Sequence, residues 1–144
     1  GVAAEAAAPG RPGTGAGGVG AWGRSVGGIV TCGGEKVPVT AVVFNTQQWG
    51  AETKNHVDFD KSRFQGVDLE NPSWAGVAKS MGAEGVTIDN LSDVGPALAA
   101  ACKAQKEGKT TIVELMVTRE LGDPFRRDAL KHPVRHLDKY KAFV

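Results

Sequence analysis

Two short stretches of this chain carry residue types that can hold an anion. The first is Gly18-Val19-Gly20, followed by Ala21 and Trp22. A glycine turn lets backbone approach a phosphate, and the N-terminus of a following helix offers unpaired N–H groups and a favourable dipole. The second is Asn45-Thr46-Gln47-Gln48-Trp49-Gly50, where an apolar run ends abruptly in amides and a hydroxyl. Polar side chains just past the C-terminal end of a strand sit where open α/β sheets bind ligands. With residues 21–44 between them, the two stretches face one crevice and can grip a diphosphate together with its cation. A Gly-x-Gly alone is weak evidence, and a polar loop that only turns the chain also explains the second stretch. The pairing at this spacing carries the reading.

The elements that must position these stretches follow from periodicity. Of the 20 glycines, 12 fall in residues 1–34, and the opening GVAAEAAAPGRPGTGAGGVG has only Val2 and Val19 as aliphatics larger than Ala. Too little apolar surface is available there to offset ordering entropy. Residues 1–17 are therefore expected to be poorly ordered, and residues 9–17 to form no strand. From residue 21, Trp22, Val26, Ile29, Val30 and Cys32 form a loose helical stripe, stopped by Gly33-Gly34. Residues 37–44 read as a buried strand, with Pro38 tolerated near its start. Residues 45–70 read as a long polar loop. Asn71-Pro72 is expected to open a helix whose stripe is Trp74, Val77, Ala78 and Met81, closed by Gly82. Residues 85–88 form a short strand. Ser92-Asp93 is expected to cap a further helix with the stripe Val94, Leu98, Ala101 and Cys102, turning polar at Gln105 and stopped by Gly108. Residues 110–117 form another strand.

Helices alternating with strands in this way predict an α/β fold: three layers, α/β/α, around a mainly parallel sheet over about residues 21–117. The domain reading is a segment 1–17, a core domain 18–117 and a polar tail 118–144. The tail sets Arg126, Arg127, Lys131, Arg135, Lys139 and Lys141 against Asp123, Asp128 and Asp138, so its basic residues are interrupted and argue for no nucleic-acid partner. At 144 residues and net charge +1 the chain makes one domain without a strong global field. No apolar run reaches the length of a membrane span, so no membrane partner is expected. The two cysteines show no metal spacing, and a reduced, cytoplasmic protein is the simpler reading.

The paired stretches resemble the cofactor motif of thiamine diphosphate enzymes, Gly-Asp-Gly, a gap in the mid-twenties, then Asn-Asn. Longer strings, NTQQWGAETKNHVDF, NPSWAGVAKSMGAEGVT, VTRELGDPFRRDALKHPVR and LDKYK, look like the C-terminal region of the sulfoacetaldehyde acetyltransferases within that family. The resemblance runs from about Ala21 to Val144. It implies a thiamine diphosphate-binding fold, present in part, with thiamine diphosphate and Mg²⁺ as cofactors. The implied reaction converts sulfoacetaldehyde and phosphate to acetyl phosphate and sulfite, the cofactor doing the carbanion chemistry. It also implies a small-molecule substrate and a homo-oligomer, with the glutamate that activates the cofactor's aminopyrimidine in a separate N-terminal domain across a dimer interface. The chain is then expected to be a fragment, inactive alone and without catalytic residues of its own.

On this resemblance the cofactor-binding residues are Gly18, Gly20, Ala21, Trp22, Asn45, Gln48, Trp49 and Gly50. The metal ligands are Thr46 and the Gln48 carbonyl. Two departures matter. Val19 stands where the family has its Asp, and Thr46 where it has the second Asn, so a charged ligand and a side-chain carbonyl are replaced by a methyl pair and a neutral hydroxyl. An acetolactate-synthase-like carboligase and a non-catalytic remnant domain are the competing readings. Among other residues, Trp49 is placed either on the substrate pocket or in packing, and His56 is read as an ordinary surface histidine. His132 and His136 lack a third ligand for zinc. Arg126-Arg127 is read first as interface or salt-bridge, with anion binding as the alternative.

Overall fold

The computed structural model describes residues 13–18, 22–23, 27–34 and 37–120. Within them, four strands form one sheet: β1 (Gly13–Gly18), β2 (Val39–Asn45), β3 (Glu84–Ile88) and β4 (Thr111–Met116). Their spatial order is β1-β2-β4-β3, and every pairing is parallel. The helices are α1 (Gly28–Gly34), α2 (Gly50–Phe59), α3 (Trp74–Ser80) and α4 (Leu91–Lys106). The three strands expected from the apolar runs are thus present, parallel and in one sheet.

Side-chain alternation divides the sheet into two apolar faces. Ala41, Val43 and Ile112 point to one face, where they pack with Ile29 of α1 and Trp74 and Ala78 of α3. Val42, Val113 and Leu115 point to the other, against Ala101 of α4. Steps from β1 to β2 and on past β4 to β3 run in one direction and carry α1 and α3 on one face. The return step from β3 to β4 carries α4 on the opposite face, as right-handed crossovers require. This is the three-layer α/β/α arrangement.

One expectation fails at the N-terminal edge. The glycine-rich segment Gly13–Gly18 is a strand, paired in register from Gly13↔Val39 to Gly18↔Phe44. The boundary at residue 17 therefore falls inside β1. Its order comes from backbone hydrogen bonds to β2, with almost no side-chain packing, and a reading built on apolar side chains cannot see it. Gln105 adds to the anchoring: it is buried, donates through Nε2 to the Gly13 and Pro38 carbonyls at 2.8 and 3.0 Å, and accepts from Thr40 Oγ1 at 2.9 Å. The polar end of the α4 stripe is thus a hydrogen-bonded tie across the sheet. Residues 1–12 and the tail from residue 121 lie outside the described residues.

Helix boundaries also differ. α2 lies inside the segment expected to be a loop. Only Thr53 of its residues is buried, so it shows no apolar stripe, and it is supported locally by the i,i+4 pair Lys54–Asp58 at 2.9 Å. Ser73, not Asn71, caps α3, its hydroxyl accepting the Gly76 N–H at 3.1 Å. α4 starts at Leu91 after Asn90, before the expected Ser92-Asp93, and Cys102 on it is exposed. α1 ends at Gly34, the second glycine of the pair expected to stop it.

α3 approaches the sheet most closely over Gly85. A Cβ at Gly85 would lie 2.2 Å from the Ala75 carbonyl oxygen and 2.8 Å from its carbon. Gly85→Ala is therefore expected to lift the first turn of α3 and destabilise the chain by about 3 kcal/mol, read from the urea midpoint. Gly76→Ala, exposed in the same helix and with a Cβ that meets only Ser73 at an ordinary 3.5 Å, is the control and should stabilise by about 0.5–1 kcal/mol.

Candidate functional site

The register that puts Gly18 opposite Phe44 brings the end of β1 beside the tip of β2. Gly18, the first residue of the glycine stretch, thus lies beside the strand end that delivers Asn45. Val19, Gly20 and Ala21 lie outside the described residues. Trp22 is half-buried and packs against the core cluster of α1 and α3, so its ring belongs to the packing there.

The tip of β2 is built by side chains folding back on backbone. Asn45 is 2% exposed, and its Nδ2 donates to Glu114 Oε1 at 2.8 Å. Its Oδ1 accepts the Gln47 backbone N–H at 3.0 Å, which turns the chain sharply and leaves Gln47 at φ +52°. The same turn brings Thr46 Oγ1 to donate to the Gln48 carbonyl at 3.1 Å. Gln48 is buried and donates through Nε2 to the Arg119 carbonyl at 2.8 Å.

Two neighbouring segments clamp this loop. On one side the Leu69 N–H donates to the Gln47 carbonyl at 3.0 Å, and the Trp49 N–H donates to the Val67 carbonyl at 2.8 Å. On the other, the Val117 N–H donates to the Asn45 carbonyl at 3.1 Å. Arg119 pairs with Asp68, joining the two clamps. Gly50 then begins α2, and Trp49, at its N-cap, is 36% exposed beside the loop.

The carboxylate beneath the loop went unremarked in the sequence reading. Glu114 is 1% exposed. Its Oε2 accepts from Ser73 Oγ, the Ala75 N–H and Thr87 Oγ1, each at 3.1 Å, while Oε1 takes Asn45. Burial acts to raise its pKa. The Ala75 N–H, the Asn45 amide, the Trp74 N–H and the Ser73 hydroxyl outweigh that and hold it below the ordinary 4.5. The available signal was a lone acid in the run Thr-Ile-Val-Glu-Leu-Met, a strand covered on both faces.

What the loop offers a ligand is a set of neutral oxygens. Asn45, Thr46, Gln47, Gln48 and Trp49 carry no charge. Thr46 Oγ1 and the Gln48 carbonyl stand 3.1 Å apart, close to the roughly 3 Å between adjacent ligands of an octahedral Mg²⁺ with 2.0–2.1 Å bonds. The spacing fits a cation edge. The charge does not: among the described residues no group of three His, Cys, Asp or Glu side chains converges, and Val19 has no side-chain oxygen. His56 is a surface residue, bonded through Nδ1 to the Arg63 carbonyl and stacked on Phe64 at 6.3 Å. Arg126, Arg127, His132 and His136 lie outside the described residues.

Comparison with known proteins gives three concordant results. The family described as "Thiamine pyrophosphate enzyme, C-terminal TPP binding domain" matches residues 1–115. Sulfoacetaldehyde acetyltransferase of Castellaniella defragrans is 56% identical over 99% of this chain, and that of Roseovarius nubinhibens is 44% identical over 92%. The chain spans only 24% and 22% of those relatives' lengths. Among solved structures, the thiamine diphosphate-dependent 4-hydroxybenzoylformate decarboxylase of Rhodococcus jostii RHA1 superposes with a TM-score of 0.74. It is 21% identical, and the match covers 84% of this chain and 22% of that one, a likeness of fold.

Proposed function

This chain belongs to the thiamine pyrophosphate enzyme family, as its C-terminal TPP binding domain, and from that premise we propose that it is the diphosphate-holding part of a sulfoacetaldehyde acetyltransferase. The observation that carries the reading is similarity sustained over 99% of the chain. That span runs on past residue 115, where the match to the family's domain ends, and so tracks the particular enzyme more than the fold. For the same reason it disfavours an acetolactate-synthase-like carboligase.

In this reading Gly18, Gly20, Ala21, Gln48, Trp49 and Gly50 line the cofactor, while the Trp22 ring and the buried Asn45 amide support them from the protein side. Backbone N–H groups after Gly18, together with the β2 tip, would hold the diphosphate. Thiamine diphosphate, when bound, supplies the carbanion chemistry for turning sulfoacetaldehyde and phosphate into acetyl phosphate and sulfite. Thr46 and the Gln48 carbonyl are the metal-facing oxygens, and they fall short of a Mg²⁺ site because neither brings charge. The activating glutamate comes from a separate domain of a homo-oligomeric, cytoplasmic enzyme. A remnant domain without cofactor is the second reading, and Val19 and Thr46 favour it.

The test joins this chain to the remaining N-terminal part of the Castellaniella defragrans relative and measures acetyl phosphate from sulfoacetaldehyde and phosphate. The 144-residue chain alone should give no product above a protein-free blank. The fusion carrying Val19→Asp with Thr46→Asn should be active, and the unaltered fusion at least ~10-fold less so. Turnover by the isolated chain, or a restored fusion that joins pyruvate units and leaves sulfoacetaldehyde untouched, overturns the proposal.

A further inference from the structure

We infer that Glu114 is a positioning residue: from the middle of β4 it sets the shape of the Asn45–Gln48 loop by dictating which way the Asn45 amide faces. The inference rests on reading that loop as the diphosphate and cation cradle, though its geometry stands without a ligand.

Every partner of the Glu114 carboxylate is a donor. Ser73 Oγ, the Ala75 N–H and Thr87 Oγ1 reach Oε2, and Asn45 Nδ2 reaches Oε1. A carboxylate is acceptor-only, so it can face only the NH₂ side of the Asn45 amide. That leaves Oδ1 pointing away, onto the Gln47 N–H at 3.0 Å. This second bond makes the turn that stands Thr46 Oγ1 at 3.1 Å from the Gln48 carbonyl. Register explains the reach: Glu114 lies opposite Val43, two residues before Asn45, so both side chains emerge on the same face of the sheet. A charge buried inside the sheet thus orients two neutral oxygens at its edge.

The relay predicts a specific failure and a specific rescue. In Glu114→Gln, Oε1 keeps the Ser73, Ala75 and Thr87 donors, and Nε2 then confronts Asn45 Nδ2, donor against donor. The Asn45 amide must turn over and abandon the Gln47 N–H. Adding Asn45→Asp restores the relay, because a carboxylate at 45 accepts both from Gln at 114 and from the Gln47 N–H. One hydrogen bond simply runs in the opposite direction.

Amide hydrogen exchange on the full chain without ligand reads this directly. In Glu114→Gln the Gln47 amide should exchange on the order of 10-fold faster relative to Val43 in the β2 ladder. In the double variant it should return to the parent rate. Thr87→Val, which removes only an Oε2 donor, should leave Gln47 at the parent rate relative to Val43, as no merely destabilising change at Glu114 would predict. An unchanged Gln47 rate in folded Glu114→Gln overturns the inference. So does a double variant that does not fold, or folds with Gln47 unprotected. If the single variant does not fold, the double variant decides alone. No cofactor enters this measurement, so its failure is separable from failure of the cofactor reading, which titration tests.

Discussion

Titrated with thiamine diphosphate, the unaltered chain is expected to bind weakly and equally with and without Mg²⁺, while Val19→Asp with Thr46→Asn binds more tightly and only with the metal. The argument is one of charge. Mg²⁺ releases water reluctantly and is held by one or two carboxylates together with phosphate oxygens. At an effective dielectric of about 20, a carboxylate roughly 4 Å from a dication gains several kcal/mol before desolvation is subtracted. Thr46 Oγ1 and the Gln48 carbonyl are correctly spaced at 3.1 Å but neutral. Restoring the carboxylate should therefore return an affinity gain on the order of 10–100-fold in the presence of Mg²⁺. Titration calorimetry with and without the metal measures it. Tight, Mg²⁺-dependent binding by the unaltered chain would show that the charge is supplied elsewhere.

Glu114→Ala should cost the fold more than any other single truncation of a polar side chain described above. It removes the one acceptor group that Asn45 Nδ2, Ser73 Oγ, the Ala75 N–H and Thr87 Oγ1 share, with the Trp74 N–H also turned towards it. A buried group deprived of its partner costs about 1–3 kcal/mol, and breaking a buried charged network about 3–5 kcal/mol. Against the 5–15 kcal/mol typical of a domain, the variant should sit near the edge of folding, with a much lower urea midpoint. Unchanged stability would mean that these donors find water or new acceptors.

The same carboxylate gives an acid limb. Its pKa is lower in the folded chain than the ordinary 4.5, so between the two values the unfolded chain binds the proton that the folded chain refuses. Its contribution to stability is then complete above 4.5 and is lost progressively as pH falls below it. The slope of stability against pH in that window should flatten in Glu114→Gln, toward one bound proton fewer.

Local chemistry made much of this protein legible in its sequence. Residues 37–44, 85–88 and 110–117 are β-branched or apolar runs, and a strand covered on both faces needs little else. Trp74, Val77, Ala78 and Met81 repeat at helical spacing, and Gly82 and Gly108 end their helices at positive φ. The loop at the β2 tip could be located for a related reason: an apolar strand that stops in Asn-Thr-Gln-Gln announces its own end, and the long strings around it resemble one enzyme family. Features held by partners distant in sequence could not be read this way. β1 is ordered by a backbone ladder to β2, which glycine supports without leaving any side-chain pattern. α2 buries only Thr53, so no stripe marks it.

The shape of that loop at the β2 tip is the clearest case. Asn45, Glu114, Ser73 and Thr87 are scattered over three strands and a helix cap, and each is an ordinary polar residue where it stands in the chain. Sequence alone determined that an amide-rich loop ends β2 and that Val19 brings no charge to it. Only the tertiary structure decided which way that amide faces, because the buried carboxylate that turns it reaches Asn45 across a 2.8 Å hydrogen bond between residues 69 positions apart.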